Sequence, residues 1–286
     1  MTPPVAGILV NGQAAATLPV DDRGFRYGDG IFETICVRAG APEFWSHHLR
    51  RLRRGTERLN LAWPEENLLA AEARQLLAQS VDGVLRIWLT RGPGGEGYRP
   101  ATAMPPTRLL RFDPSPAVPA PAIVSPDFAA QGVSLRVCQT RLGQNPALAG
   151  IKHLNRLEQV LATAEWDAPD IEGLMLDTAG NVIEGTKTNI FFLREGNLIT
   201  PDLTQAGVAG VVREIVLEEA AHAERPVTVR PIRLAEALGA DECFLTNSLI
   251  HLWPVRDLDG KTFAIGPVSL EFSRRIAARA LKSRSF

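Results

Sequence analysis

Two hydrophobic periods share this chain, one of two residues and one close to 3.6, and their order divides it into blocks. The first block opens on a short apolar run, Gly7 to Val10, which an Asn11-Gly12 turn closes in the manner of a hairpin. A polar, glycine-rich stretch, DDRGFRYGDG (21–30), reads as a loop, and IFETICVR (31–38) reads as a strand. Two helices follow. Leu49, Leu52 and Leu59 recur at near-helical spacing over about 45–60, and Pro64, a favoured first-turn residue, opens EENLLAAEARQLLAQ. GVLRIWLTR (83–91) and TRLLRFD (107–113) read as strands that end the block.

Five prolines between Pro114 and Pro126, with no apolar period among them, predict a stiff linker. Beyond it come the strand GVSLRVCQT (132–140), a helical NRLEQVLATAEW (155–166) and a meander: EGLMLDT (172–178), a turn at 179–181, TNIFFL (188–193) and a second turn at 195–197. AGVVREIVLEEAAHA (209–223) reads as a helix, PVTVRPI (226–232) and DECFLTNS (241–248) as strands, and Val268 to Lys282 as a terminal helix. Antiparallel runs mixed with paired helices place the chain in the α+β class. The expected organisation is a smaller N-terminal α+β domain at 1–113, a Pro-rich linker at 114–126 and a larger C-terminal domain at 127–286 that carries Lys152.

A length of 286 residues suits two domains, and 45% hydrophobic with 22% charged residues is an ordinary globular composition. The net charge of −1 argues against nucleic acid, which needs a clustered positive excess. One basic cluster, HHLRRLRRGTER (47–58), fits a solvated helix face as well as a face beside an anionic cofactor. Cys36, Cys138 and Cys243 lie in strand-like runs without CxxC spacing and read as reduced core thiols. No segment approaches the roughly 18 apolar residues of a membrane span, and the N-terminus lacks a basic start and a long apolar core, so a cytoplasmic protein without a membrane partner is expected. Adjacent His47 and His48 cannot face one way on a helix, and no Cys/His group has zinc spacing, so no metal is expected.

Lysine is rare here. Of 31 basic residues only 152, 187, 261 and 282 are lysine. Arginine stays protonated in a protein, whereas a partly desolvated lysine becomes a nucleophilic amine. Lys152, in AGIKHLNRLEQ (149–159), therefore stands out, although such a lysine alone in an apolar helix start is more often a snorkelling surface residue. GPGGEG (92–97) has the letters of a GxGxxG motif, but Pro100, Pro105 and Pro106 deny the helix that motif must open. What remains is either a plain connection or a flap beside a substrate. QAGVAGVVREIV (205–216) puts small residues before a helix, whose first N–H groups and dipole suit a phosphate. Thr246 to Ser248 either closes the same cradle or forms a turn. Glu184, before Gly185 in NVIEGTKTNIFF, is either an exposed turn residue or a carboxylate for a protonated ring nitrogen.

Taken in order, RYGDGIFET (26–34), HHLRRL (47–52), the lysine segment, EGTKTNIFF (184–192), AGVAGVVRE (206–214) and FLTNS (244–248) resemble the class IV aminotransferase family, the fold type IV pyridoxal-phosphate enzymes. The resemblance implies a two-domain, D-amino-acid-aminotransferase-like fold with pyridoxal 5'-phosphate in the interdomain cleft. Within the family, RLGQNPALAGIKHLNRLEQVLA (141–162) and TRGPGGEGY (90–98) are similar to the aminodeoxychorismate lyases, which form 4-aminobenzoate and pyruvate in folate biosynthesis.

By that resemblance Lys152 would form the Schiff base with the cofactor and then move the proton, while Glu184 would keep the pyridine nitrogen protonated. Arg50 would grip the phosphate, helped by backbone N–H groups of Val208 and Ala209 and by the corner Thr246, Asn247 and Ser248. Thr34 would orient the departing enolpyruvyl group or donate a proton to it. Arg91, Tyr98, Arg99 and Arg141 stand as candidates for holding the small-molecule substrate, the arginines through its carboxylates. A homodimer is implied, with subunits contributing to each other's sites. The rival is a transaminase for branched-chain or D-amino acids. D-amino-acid members carry a tyrosine where Phe32 stands and an Arg-x-His clamp where this chain reads PGGEGYRP, whereas YGDGIFE is shared with the branched-chain group. A binding protein that had lost its chemistry would lack the lysine or the glutamate, and both are present.

Overall fold

The structure, a computed structural model, describes residues 7–15, 17–78, 81–101, 104–114, 131–167 and 171–283. It divides into two compact units, one of Met1–Val118, Ile151–Asn155 and Lys282–Phe286 and one of Pro119–Gly150 and Arg156–Leu281. The expected linker lies, from residue 115 on, outside the described residues.

The first unit is built on an antiparallel sheet of β1 (Ile8–Val10), β2 (Gln13–Ala14), β3 (Gly30–Arg38), β4 (Ala41–Pro42), β5 (Gly83–Thr90) and β6 (Thr107–Pro114), in the order β2-β1-β6-β5-β3-β4. Alternation along β3 and β5 sends Ile31, Ile35, Val37, Leu85, Ile87 and Leu89 to one face. There they pack with Leu49 and Leu52 of α2 (Trp45–Leu59) and Leu69 and Ala73 of α3 (Glu66–Leu76). Phe32, Thr34, Arg86 and Trp88 take the other face and stay half-buried.

Two local expectations change. The stretch expected as a loop at 21–30 holds a short helix, α1 (Arg23–Tyr27), which Asp22 caps by accepting the Gly24 N–H at 2.8 Å and left-handed Gly28 ends. Pro64 does not open α3. Glu65 stays extended, at φ −60° and ψ 138°, and helical geometry starts only at Glu66.

The second unit carries a mixed sheet of β7 (Val133–Leu142), β8 (Ile171–Asp177), β9 (Val182–Gly185), β10 (Asn189–Arg194), β11 (Asn197–Pro201), β12 (Val227–Arg230), β13 (Glu242–Asn247) and β14 (His251–Leu258). Its order is β12-β11-β10-β13-β14-β7-β8-β9, and β15 (Lys261–Thr262) pairs with β14. The helices are α4 (Leu157–Thr163), α5 (Val211–His222), α6 (Leu234–Leu238) and α7 (Pro267–Lys282). The sheet curls on itself: the Val182 N–H at the β9 end bonds the Ile232 carbonyl, just past β12 at the other end, at 2.8 Å. That contact, with the Asn181–Arg233 bridge beside it, covers part of both edges, which are otherwise sites of unwanted pairing. The sequence pattern does not predict β14, because Pro254 sits inside it. The sheet accommodates this residue next to a register shift between Val255 and Asp257.

The segment around Lys152 departs from the expectation that 127–286 forms one body. Ile151–Asn155 groups with the first unit because it extends along β3: Phe32 N–H donates to Lys152 O at 2.9 Å and Leu154 N–H to Gly30 O at 3.0 Å. Helix α4 starts only at Leu157, so Lys152 sits on extended chain. Cys36, Cys138 and Cys243 fall in β3, β7 and β13, buried and free, as core thiols. Among the described residues no helix is long and apolar enough to cross a membrane.

Candidate active site

In the first unit the Lys152 ammonium lies 4.3 Å from the centre of the Phe32 ring. A cation over a ring face is attracted by the ring's quadrupole, so Phe32 fixes where the flexible lysine points. Thr34 is two residues further along β3 and therefore on the same face. Directly opposite Thr34 on β5 stands Arg86, paired with Asp113, which Arg111 also binds at 2.6 Å.

Behind that face, Glu33 is fully buried. It accepts bonds from Arg51 Nε at 2.7 Å, Arg51 Nη2 at 2.5 Å and His48 Nδ1 at 2.6 Å. Burial pushes the Glu33 carboxyl up, but the charges and hydrogen bonds of Arg51 and His48 outweigh it and hold the pKa at about 2. Burial also pulls His48 below its usual value, against the pull of Glu33. Arg50 needs correcting. It lies on the exposed face of α2 with Ser46, Arg53, Arg54 and Glu57, and the arginine turned inward is its neighbour Arg51.

The substrate candidates also separate. Arg91 is a structural clamp, bound to Asp29 at 2.8 and 3.0 Å and to the Asn60 and Leu59 carbonyls at 2.8 Å each, which removes it from the substrate set. Tyr98 is 88% exposed and Arg99 is exposed, on the glycine loop at 92–99. Arg23 pins that loop by donating to the Gly97 and Tyr98 carbonyls at 2.9 Å. Arg141, in the second unit, is exposed and turned back on the Cys138 carbonyl.

The second unit gathers the remaining residues. Glu184, on β9, is buried rather than an exposed turn residue, and its Oε2 accepts the Val208 N–H at 2.8 Å. Gly207, at φ +84°, lets the chain pass: a Cβ there would come within 3.2 Å of that oxygen. Burial lowers the pKa of Arg156 and Arg213, and the negative charge of Glu184 acts on both in the opposite direction.

Val208 and Ala209 do not offer their N–H groups to a phosphate. The first bonds Glu184 and the second the Gly150 carbonyl at 3.0 Å. Helix α5 begins after Gly210 and its first intrahelical bond comes from the Glu214 N–H, so the N–H groups without intrahelical partners are those of Val211, Val212 and Arg213, the first two nearest the helix start. Thr246, on β13, has a buried hydroxyl without a hydrogen-bond partner and stands opposite Asn189 on β10. Asn189 in turn accepts the Gly210 N–H at 3.0 Å, which brings the helix start toward Thr246. A helix N-terminus and an orphaned buried hydroxyl form an anion cradle. Asn247 instead shapes the corner, accepting the Leu249 and Ile250 N–H groups at 2.8 and 3.0 Å, and Ser248 follows it half-buried.

The amino-transferase class IV family matches residues 30–258, and the chain belongs to that family. It is 36% identical over 248 residues to an aminodeoxychorismate lyase of Vibrio harveyi, spanning 86% of this chain and 89% of the relative. It is 31% identical over 251 residues to a putative branched-chain-amino-acid aminotransferase of Methanocaldococcus jannaschii, with 86% and 84% covered. A crystal structure of 4-amino-4-deoxychorismate lyase from Pseudomonas aeruginosa superposes with a TM-score of 0.88 at 42% identity, covering 95% of this chain and 98% of that one. The family depends on pyridoxal phosphate, and pyridoxal 5'-phosphate is the cofactor of this chain. The residues fit it: a lysine on extended chain, a buried carboxylate for a ring nitrogen, and a helix start with an orphaned hydroxyl for a phosphate.

Proposed function

We propose that this enzyme is a lyase that converts 4-amino-4-deoxychorismate to 4-aminobenzoate and pyruvate. The observation that carries the reading is Thr34, a hydroxyl on the same face of β3 as Phe32 and directly opposite Arg86 on β5. The two lyase relatives, at 36% and 42% identity over most of the chain, support it.

Lys152 would hold the cofactor through its side-chain amine and, as a free amine, would take the proton from the amine-bearing carbon of the substrate. The bound cofactor supplies an electron sink for the pair left behind. Glu184 keeps the ring nitrogen protonated, Val211, Val212 and Thr246 bind the phosphate, and Arg51 replaces Arg50 as its arginine partner. Thr34 hydrogen-bonds the ether oxygen of the enolpyruvyl group as its bond to the ring breaks. Arg86 receives a substrate carboxylate in place of Arg91. The ring becomes aromatic as that bond breaks, which makes the step downhill, and the released enol becomes pyruvate.

The reading includes a cytoplasmic homodimer. Leu157, Val160 and Leu161, exposed at 75%, 57% and 60%, give α4 an apolar stripe that a second copy would cover. Light scattering on the purified protein tests the dimer. For the reaction, protein supplied with aminodeoxychorismate alone should yield equal amounts of pyruvate and 4-aminobenzoate. Turnover of an amino donor with 2-oxoglutarate, without those products, would establish the transaminase reading instead.

A further inference from the structure

We infer that Asn189 is a positioning residue that ties the carboxylate for the cofactor ring to the phosphate-binding helix start, so that one carboxamide sets the geometry of both subsites. Asn189 is buried at 5% exposure on β10. Its Nδ2 donates to the Val208 carbonyl at 2.8 Å and reaches Glu184 Oε2 at 3.4 Å, and its Oδ1 accepts the Gly210 N–H at 3.0 Å. The amide thus grips the chain on both sides of Ala209, while the Val208 N–H closes the ring of contacts onto Glu184 at 2.8 Å. Only an amide with this orientation satisfies all of these, since one partner is a donor and two are acceptors.

Gly210 confirms how tightly the amide is seated. Its φ of −67° and ψ of 145° suit any residue, so no backbone strain demands glycine. A Cβ there would fall 2.0 Å from Asn189 Oδ1, so the missing side chain makes room for the carboxamide. Gly210 is also the residue before Val211 and Val212, whose N–H groups face outward from α5. Fixing its N–H fixes theirs. Asn189 also stands opposite Thr246 across the β10–β13 pair, which puts both side chains on one face of the sheet.

The proposal rests on the cofactor, not on the choice of substrate. A failed binding test leaves the product assay untouched, and the reverse holds.

The experiment measures the affinity of the full-length apoprotein for pyridoxal phosphate and for pyridoxal, which lacks the phosphate. The ratio of the two reports what the phosphate contacts contribute. In Asn189→Ala and Asn189→Asp the ratio should fall roughly tenfold or more, the size expected when buried hydrogen bonds that orient a ligand site are lost. Gly210→Ala, which displaces the carboxamide without removing it, should lower the ratio in the same way. Asn189→Ala combined with Gly210→Ala removes the clash, so it keeps the test valid if a single variant misfolds, and its ratio should stay low. A ratio at the wild-type level in the folded variants, or recovery of that level in the double variant, would overturn the proposal and leave Asn189 a space-filling residue.

Discussion

Phe32 holds Lys152 at both ends: its backbone N–H donates to the lysine carbonyl at 2.9 Å, and its ring lies 4.3 Å from the lysine nitrogen. An extended segment with a long, flexible side chain is thus steered by Phe32 through both its backbone and its ring. Lys152→Ala should therefore abolish the visible absorbance of the bound cofactor and lower turnover by roughly a thousandfold. Phe32→Leu should keep the absorbance and lower kcat by about threefold to tenfold, in line with a ring contact worth roughly 0.5–2 kcal/mol. Activity and absorbance that both survive Lys152→Ala would remove the lysine from the reaction.

The Glu33 carboxyl makes a second prediction, about acid stability. Its pKa is lowered from 4.5 to about 2 in the folded chain. The unfolded chain therefore takes up the proton first as the pH falls. The stabilisation is complete above about 4.5 and is lost as the pH drops through about 2, an amount of about 3 kcal/mol. Wild type should lose melting temperature over that interval, and Glu33→Gln should be less stable at neutral pH with a flatter acid limb. Parallel acid limbs for the two proteins would show that the trio with Arg51 and His48 does not govern this transition.

Thr246 predicts a trade between stability and binding. Its hydroxyl is buried without a partner, so Thr246→Val removes an unsatisfied group at little change in shape. The apoprotein should melt at the same temperature or higher. The variant should bind pyridoxal phosphate about tenfold more weakly, the loss of one hydrogen bond to a charged group. Unchanged affinity, measured by fluorescence titration, would take Thr246 out of the phosphate site.

Much of this is legible in the residues, and the misplaced polar side chains share one cause. The strands and long helices follow from hydrophobic period, which each segment carries within itself. Arg50 against Arg51 turns on helical phase: His48, Arg51, Leu52 and Gly55 share the buried side, and the stripe of Leu49, Leu52 and Leu59 alone does not separate neighbouring arginines. Val208 and Ala209 against Val211 and Val212 turns on where α5 begins, which the Asn189 bond to Gly210 decides from 21 residues away. Arg91 is a candidate for a substrate carboxylate by its letters, but Asp29, 62 residues back, holds it. The Asp22 cap and Gly28 end of α1 were signals available in the letters themselves. Period is local, whereas the partner of a polar side chain is set by the fold.

Arg86 and Thr34 carry the last prediction, because they face each other across β3 and β5 and are assigned different parts of the same substrate. Directly opposed residues have their Cβ atoms roughly 5 Å apart, close enough to meet one small molecule. Arg86→Met should leave the fold intact, since Asp113 keeps Arg111 at 2.6 Å. It should raise KM for aminodeoxychorismate by about tenfold to a hundredfold, the cost of an ionic hydrogen bond, with the cofactor absorbance unchanged. Thr34→Val should do the opposite, lowering kcat by about tenfold or more at nearly constant KM, because its hydrogen bond forms as the enolpyruvyl bond breaks. If Arg86→Met lowers kcat alone and Thr34→Val raises KM alone, the two assignments are reversed. If neither constant moves in either variant, the substrate does not lie on this face of the sheet.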